Sequence, residues 1–194
     1  MNPHFIFNAL NSIKAYLIDN DKRKAINYMN RFSKLVRKIL ESSRIEKISL
    51  EEELDIIKLY VEIENTRFNN SIQFNIEDSS NEKKNIFLPP LILQPFIENA
   101  LWHGLAPSEK EKKLSLKVLH NNEHTKVEIE DNGIGRRKSL SDLRESKLKR
   151  KSMGMKMTQE RLAVFNQKFN MEYYFEIIDK SEDETGTQVI LHFN

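Results

Sequence analysis

The sequence has no cysteine. That excludes disulfides and thiolate metal centres, and it fits a reducing compartment. No apolar run approaches the ~20 residues of a membrane-spanning helix, and no secretory leader is recognisable. Neither sign of charge dominates: 31 basic against 29 acidic residues leave a net +2. Bulk charge therefore singles out no partner. Glycine is scarce, and all five copies (Gly104, Gly133, Gly135, Gly154 and Gly186) fall at expected element edges. What is present is 39% hydrophobic content, enough for a real core in one large domain or two small ones. The chain opens at Met1-Asn2-Pro3-His4 straight into structured sequence, so we expect a piece of a longer protein, with nothing implied about membrane segments elsewhere in it.

The first third reads as helix. Asn2 suits an N-cap and Pro3 the first helical position. Phe5, Ile6, Leu10, Ile13 and Leu17 give a wide apolar surface, broken by a narrow polar stripe of His4, Asn8 and Asn11. A second helix is expected from about Asp21 to Ser43, with Ile26, Met29, Phe32, Val36, Ile39 and Leu40 as its buried seam. A third begins at the capping box Ser49-Leu-Glu-Glu52 and continues through Leu54, Ile57, Val61 and Phe68. Three such helices make a poor free-standing core and should pack on a neighbouring domain, a partner chain, or both.

Near residue 70 the period changes to two. Ile72, Phe74 and Ile76 alternate, as do Leu114, Leu116 and Val118, then Val127 and Ile129. Asn121-Asn122-Glu123 reads as the turn between the last two strands. Pro89-Pro90 leads into an apolar helix, residues 91–104. A later helix near Gly154–Lys168 turns Leu162, Phe165 and Phe169 inward, and strands at 173–178 and 187–193 close the chain. The order predicts an α+β layer, one sheet with helices on a single face. We divide the chain into a helical segment, 1–70, and a sheet domain, 71–194.

The helix at 91–104 carries chemistry on an oily body. Leu93, Phe96, Ile97, Ala100 and Leu101 share its core face, while Glu98, Asn99 and His103 lie off it. Such groups are costly on a mostly buried helix unless they bind something or pair. Strand parity puts Asp131 on the core face with Val127 and Ile129, where a buried carboxylate needs a donor such as the exocyclic amine of adenine. Gly133 and Gly135 would let backbone amides approach a ligand. A glycine turn with a capping aspartate explains the same residues equally well. Gly154, read as a helix start, offers amides to phosphate, although most helix starts bind nothing. Thr187 shares a face with Val189, Leu191 and Phe193, as an ordinary strand threonine also would. Residues 136–151 hold eight basic residues against Asp142 and Glu145 and read as a mobile loop. Nucleic-acid contact, a solvated loop and a lid over an anionic ligand all suit that composition, and the position between Gly135 and Gly154 favours the lid.

In order and spacing, Glu98-Asn99-Ala-Leu-Trp-His103-Gly104, Asp131-Asn-Gly-Ile-Gly135, Met153-Gly154-Met155 and Gly186-Thr187 together resemble the asparagine and glycine boxes of the GHKL (Bergerat) ATP-binding fold. That family includes histidine kinases, gyrase, MutL and anti-sigma serine kinases. Asn2-Pro3-His4-Phe5 through Asn11 resembles the phosphoacceptor segment of LytS/YehU-type sensor histidine kinases, as do Glu64-Asn-Thr-Arg67-Phe68 and Leu93-Gln94-Pro95-Phe96.

The resemblance implies an N-terminal helical segment followed by a GHKL α/β sandwich, with ATP and Mg²⁺ as cofactors. His4 would accept the γ-phosphoryl group and Asn99 would coordinate Mg²⁺. Glu98 would act as general base or orient the histidine, and His103 would lie near the phosphates. Asp131 would bind adenine, with Thr187 behind it, and Gly133, Gly135 and Gly154 would edge the lid. It further implies a homodimer and an aspartate on a response regulator as acceptor, LytTR-type regulators being common partners, with no direct contact to nucleic acid. The kinase region would be cytoplasmic and its parent protein anchored in the inner membrane. Two positions depart from the pattern: Trp102 stands where many relatives have lysine, and Ser152 where a further glycine is common. The alternatives are a nucleotide-sensing pseudokinase module and a GHKL ATPase of another branch.

Overall fold

The structure, a computed structural model, describes residues 3–79, 86–120, 124–136, 145–180 and 185–194, with residues 3, 4 and 145–153 described as backbone only. The expected Asn2 cap, the turn at 121–123 and residues 137–144 of the basic segment lie outside the described residues.

Helices α1 (Pro3–Ile18) and α2 (Lys22–Ser42) form a hairpin. Asp21 ends the connection and caps α2, its Oδ1 accepting from the Lys24 amide at 3.0 Å. The buried seam of α2 differs from the expected one. Ile39 is inside, but its companions are Ala25, Tyr28, Leu35 and Ser42, while Ile26, Met29 and Leu40 are about half exposed (54%, 48% and 55%). The helix carries two adjacent apolar stripes, and the chain supplies α1 and α3 to cover only one of them.

Strand β1 (Ile48–Ser49) leads into α3 (Leu50–Asn65) through the expected capping box: Glu52 N donates to Ser49 Oγ at 3.2 Å, and Ser49 N to Glu52 Oε2 at 3.0 Å. A 3₁₀ turn, Thr66–Phe68, ends the helix. Strand β1 pairs antiparallel with β3 (Phe87–Leu88). Neither strand was legible, because two residues cannot show a period. The expected division at residue 70 groups α3 with the hairpin. In the structure α3 also packs on β3 and on α4 (Gln94–Asn99) and shares their core.

Strands β2 (Ile72–Asp78), β4 (Lys112–His120), β5 (Thr125–Asp131), β6 (Tyr174–Asp179) and β7 (Thr187–Phe193) form one mixed sheet in the order β2-β4-β5-β7-β6. The β2–β4 pair is parallel and the other three are antiparallel. Alternation sorts the faces: Leu114, Leu116, Val118, Val127, Ile129, Val189, Leu191 and Phe193 are buried, and Lys113, Lys117, Lys126 and Glu128 are not. Helices α3, α4 and α5 (Glu145–Phe169) cover the apolar face. The fold is α+β, with a mixed sheet and helices on one face.

Candidate functional site

The stretch 91–104 is not one regular helix. After α4 the chain widens into a π-helical turn, Ala100–Leu105. Such turns re-aim side chains and cluster at functional sites. The expected core residues are all buried: Leu93, Ile97 and Leu101 at 0%, Phe96 at 2% and Ala100 at 5%. Glu98, Asn99 and His103 are half-buried beside them.

Gly104, near the end of the π turn, meets the end of β5. A Cβ on Gly104 would sit 2.6 Å from Asp131 Oδ1, and one on Gly133 would sit 2.2 Å from the Gly104 carbonyl carbon. Only glycine permits this approach, which the Ile134 amide closes by donating to the Gly104 carbonyl at 3.1 Å. The missing methyl of Gly104 is what lets the Asp131 carboxylate lie against the π turn. Asp131 itself is 4% exposed. Its Oδ1 accepts from the Gly133 amide at 2.8 Å. Burial pushes its pKa up to about 6, against the pull of the Gly133 amide, Lys180 and the Thr187 amide. Thr187 stands directly opposite in the β5–β7 register. The expected core-facing pair is therefore present, and Gly186 joins it from β7's entry.

A nucleotide fits this donor set. A buried carboxylate packed against a glycine suits an exocyclic amine, and the Asn99 amide oxygen would be a ligand that Mg²⁺ accepts beside phosphate and water. Among the described residues no cluster of His, Asp and Glu forms a metal cage by itself.

Two helices frame Asn99 and Glu98. Asn99 Nδ2 donates to Met155 Sδ of α5 at 3.7 Å, so α5 lies across the asparagine. Glu98 Oε1 accepts from Gln94 Nε2 at 2.8 Å. Trp102, one turn past Glu98, packs toward the helical segment: its ring lies 5.2 Å from that of Phe68, with the Arg67 guanidinium 4.0 Å from its centroid. Arg67 also pairs with Glu64 Oε2 at 3.0 Å. The tryptophan is thus a docking residue for the 3₁₀ turn.

One position needs correction. Gly154 does not start a helix. Helix α5 begins at Glu145, so Gly154 lies well inside it, and a Cβ there would meet nothing within 4 Å. The stretch 145–153 contains no glycine or proline to stop a helix, and the helix runs back through it. Its backbone amide is therefore no helix-terminal phosphate donor in this conformation. For the same reason the second half of the expected basic loop is helical. Gly135 does adopt the left-handed region, at φ 77°. His4 opens α1, and its side chain lies outside the described residues.

Sequence reasoning missed Glu53, which is wholly buried. Its carboxylate accepts from the Leu91 and Leu93 amides, both at 2.8 Å, at the turn that launches α4. Burial lifts its pKa to about 7, while those amides and Arg161 of α5 oppose the shift. The acidic first turn of α3 (Glu51, Glu52 and Glu53) gave no sign that one member faces inward.

The layered fold, with Asp131 buried at the end of β5, is of the GHKL α+β type. Comparison supports the fold: the catalytic domain of histidine kinase ThkA, in a nucleotide-free crystal form, superposes with a TM-score of 0.51 at 13% identity, covering 77% of this chain and 97% of that one. The histidine kinase family model matches residues 1–72. Sensor protein LytS of Staphylococcus haemolyticus is 33% identical over 137 residues, 70% of this chain and 23% of the relative. Sensor histidine kinase BtsS of Escherichia coli is 35% identical over 135 residues, covering 68% and 23%. LytS of Streptococcus agalactiae is 30% identical over 191 residues, covering 97% and 32%. The chain belongs to the LytS/YehU-type sensor histidine kinase family. It spans about a quarter to a third of the length of these curated relatives.

Proposed function

We propose that this chain is the catalytic region of an ATP-dependent sensor histidine kinase that autophosphorylates on His4 and passes the phosphoryl group to an aspartate of a response regulator. The observation that carries the reading is Asp131: a buried carboxylate held by the Gly133 amide and packed against Gly104, where only a glycine fits.

Each residue has a physical task in this reading. Asp131 takes the adenine amine, with Thr187 behind it. Asn99 would hold Mg²⁺ through its amide oxygen while its Nδ2 faces Met155, and the ion would supply neutralisation of phosphate charge. His103 lies one turn further along toward the phosphates. Gly133 and Gly135 edge the nucleotide, and Gly154 gives α5 an unencumbered surface near Asn99. His4 attacks through a neutral imidazole nitrogen. The N–P bond forms as the γ-phosphoryl leaves ADP, and Glu98 orients the ring or takes its proton. The exposed apolar face of α1 and α2, with Phe7 at 66% and Leu10 at 53% exposure, supports a homodimer. A receiver domain, of LytTR type in the family pattern, is the proposed acceptor. No described helix is long and apolar enough to cross a membrane, so the inner-membrane anchor is proposed for the parent protein.

Isothermal calorimetry of ATP-Mg²⁺ against wild type and Asp131→Asn tests the site. Loss of a charge-assisted hydrogen bond should weaken binding by about 10- to 100-fold. Equal affinity in the two proteins would put the nucleotide elsewhere. Binding without any phosphoryl transfer in the intact protein would favour the pseudokinase module.

A further inference from the structure

The end of α1 that carries His4 is anchored in its own chain beside the Glu98–Asn99 turn. Phe5, the residue after His4, is 4% exposed. Its ring stacks on Tyr60 of α3 at 5.3 Å between centroids and leans on Phe32 of α2 at 5.8 Å. Ala9, one turn further along α1, is 1% exposed in the same core. Tyr60 is itself 2% exposed, and its phenol lies beside Glu98 and Trp102. The contact is part of a seam. Tyr60, Glu64 and Arg67 follow one another at helical spacing toward the 3₁₀ turn, and opposite them stand Gln94, Glu98 and Trp102, also one turn apart. Arg67 over Trp102 closes the far end of the seam. One side of Tyr60 thus carries the phosphoacceptor end of α1, and the other carries the residue that precedes Asn99.

The connection between hairpin and sheet layer reinforces this. Only residues 43–47 join α2 to β1, and five residues reach at most about 17 Å. That tether is pinned to the sheet layer: Glu46 pairs with Lys168 of α5, and the Lys47 ammonium lies 4.8 Å from the Phe87 ring centroid and 5.3 Å from that of Phe169. A layer held so closely has little freedom to reach the hairpin of another copy.

We propose that autophosphorylation occurs within one chain, with Tyr60 as the positioning residue that seats the His4 end of α1 beside the Glu98–Asn99 turn of the same protomer. The inference rests on the kinase reading above. It deepens that reading by naming which His4 each ATP site serves.

Mixed dimers of the intact protein test it. His4→Gln chains keep an ATP site but no acceptor, and Asp131→Asn chains keep the acceptor but lose the site. With subunit exchange verified by two affinity tags, transfer within a chain leaves the mixed dimer as unlabelled by γ-³²P-ATP as either variant alone. Label on the Asp131→Asn chain, at a rate comparable with wild type, overturns the proposal. A wild-type homodimer that takes no label would count against the kinase reading itself. The role of Tyr60 is read separately. Tyr60→Leu should lower the autophosphorylation kcat by about 10-fold or more with the ATP KM unchanged. Phe5→Leu, which leaves the sheet layer intact, should do the same. Tyr60→Phe keeps the ring and should stay within about 3-fold of wild type. Unchanged kcat in Tyr60→Leu and Phe5→Leu would remove Tyr60 from the positioning role.

Discussion

Asp131 meets a conflict that a structural side chain would avoid. It is buried, drawn toward its neutral form at a pKa of about 6, and walled by a glycine where any side chain would collide with its carboxylate. Gly104→Ala tests that wall. A methyl 2.6 Å from Oδ1 has to displace either the carboxylate or the π turn. We expect a loss of about 1–3 kcal/mol in stability, read by chemical denaturation, together with loss of ATP binding by calorimetry. A variant that binds ATP like wild type would show that the Asp131 carboxylate is not part of the ATP site. Asp131 and Thr187 were legible because strand parity fixes a face whenever one side of a sheet is buried. Gly154 was misread because a glycine can mark a helix start or lie inside a helix. Sequence did not show that the basic stretch before it would itself be helical.

At the scale of elements, the turn before α4 matters most. Leu91 sits at φ 59°, an unfavourable region for a leucine. It stays there because Glu53 of α3 takes the Leu91 and Leu93 amides, while Arg161 of α5 donates to the Pro90 carbonyl. One side chain from α3 and one from α5 therefore grip the start of the helix that carries Asn99. Glu53→Ala leaves two buried amides unpaired, and we expect a loss of roughly 3 kcal/mol in chemical denaturation. A loss below about 0.5 kcal/mol would mean that the turn holds itself. This device was invisible in the sequence because a glutamate in the first turn of a helix reads as a response to the helix dipole. The outward stripe of α2 was misassigned for a related reason: periodicity finds apolar stripes but does not say which one a neighbour covers.

At the scale of the whole molecule, three buried carboxylates make stability depend on pH. Burial raises Glu53 and Glu64 to about 7 and Asp131 to about 6, from ordinary values of 4.5, 4.5 and 3.8. The folded chain therefore holds more protons than the unfolded chain between about pH 4 and pH 7, and stability falls as pH rises through that window. The nucleotide-free chain should melt higher near pH 5.5 than near pH 7.5 by scanning calorimetry, with Tm moving by about 2–4 °C per kcal/mol for a chain of this size. Asp131→Asn should flatten part of that slope. A Tm that rises with pH over the window would contradict the burial account. The single sheet, its helix layer and the family were legible, because strand alternation, caps and box spacing act locally, whereas the strand order was not. The packing of α3 against α4 was not, since it depends on contacts far apart in sequence.

In the proposed reaction His4 is the first acceptor of the γ-phosphoryl group of ATP. The most direct measurement is incubation of the intact protein with γ-³²P-ATP and Mg²⁺, with His4→Gln alongside, followed by acid and base treatment of the label. Acid-labile, base-stable label is expected on wild type and none on His4→Gln. Label of the same chemistry surviving on His4→Gln would contradict it.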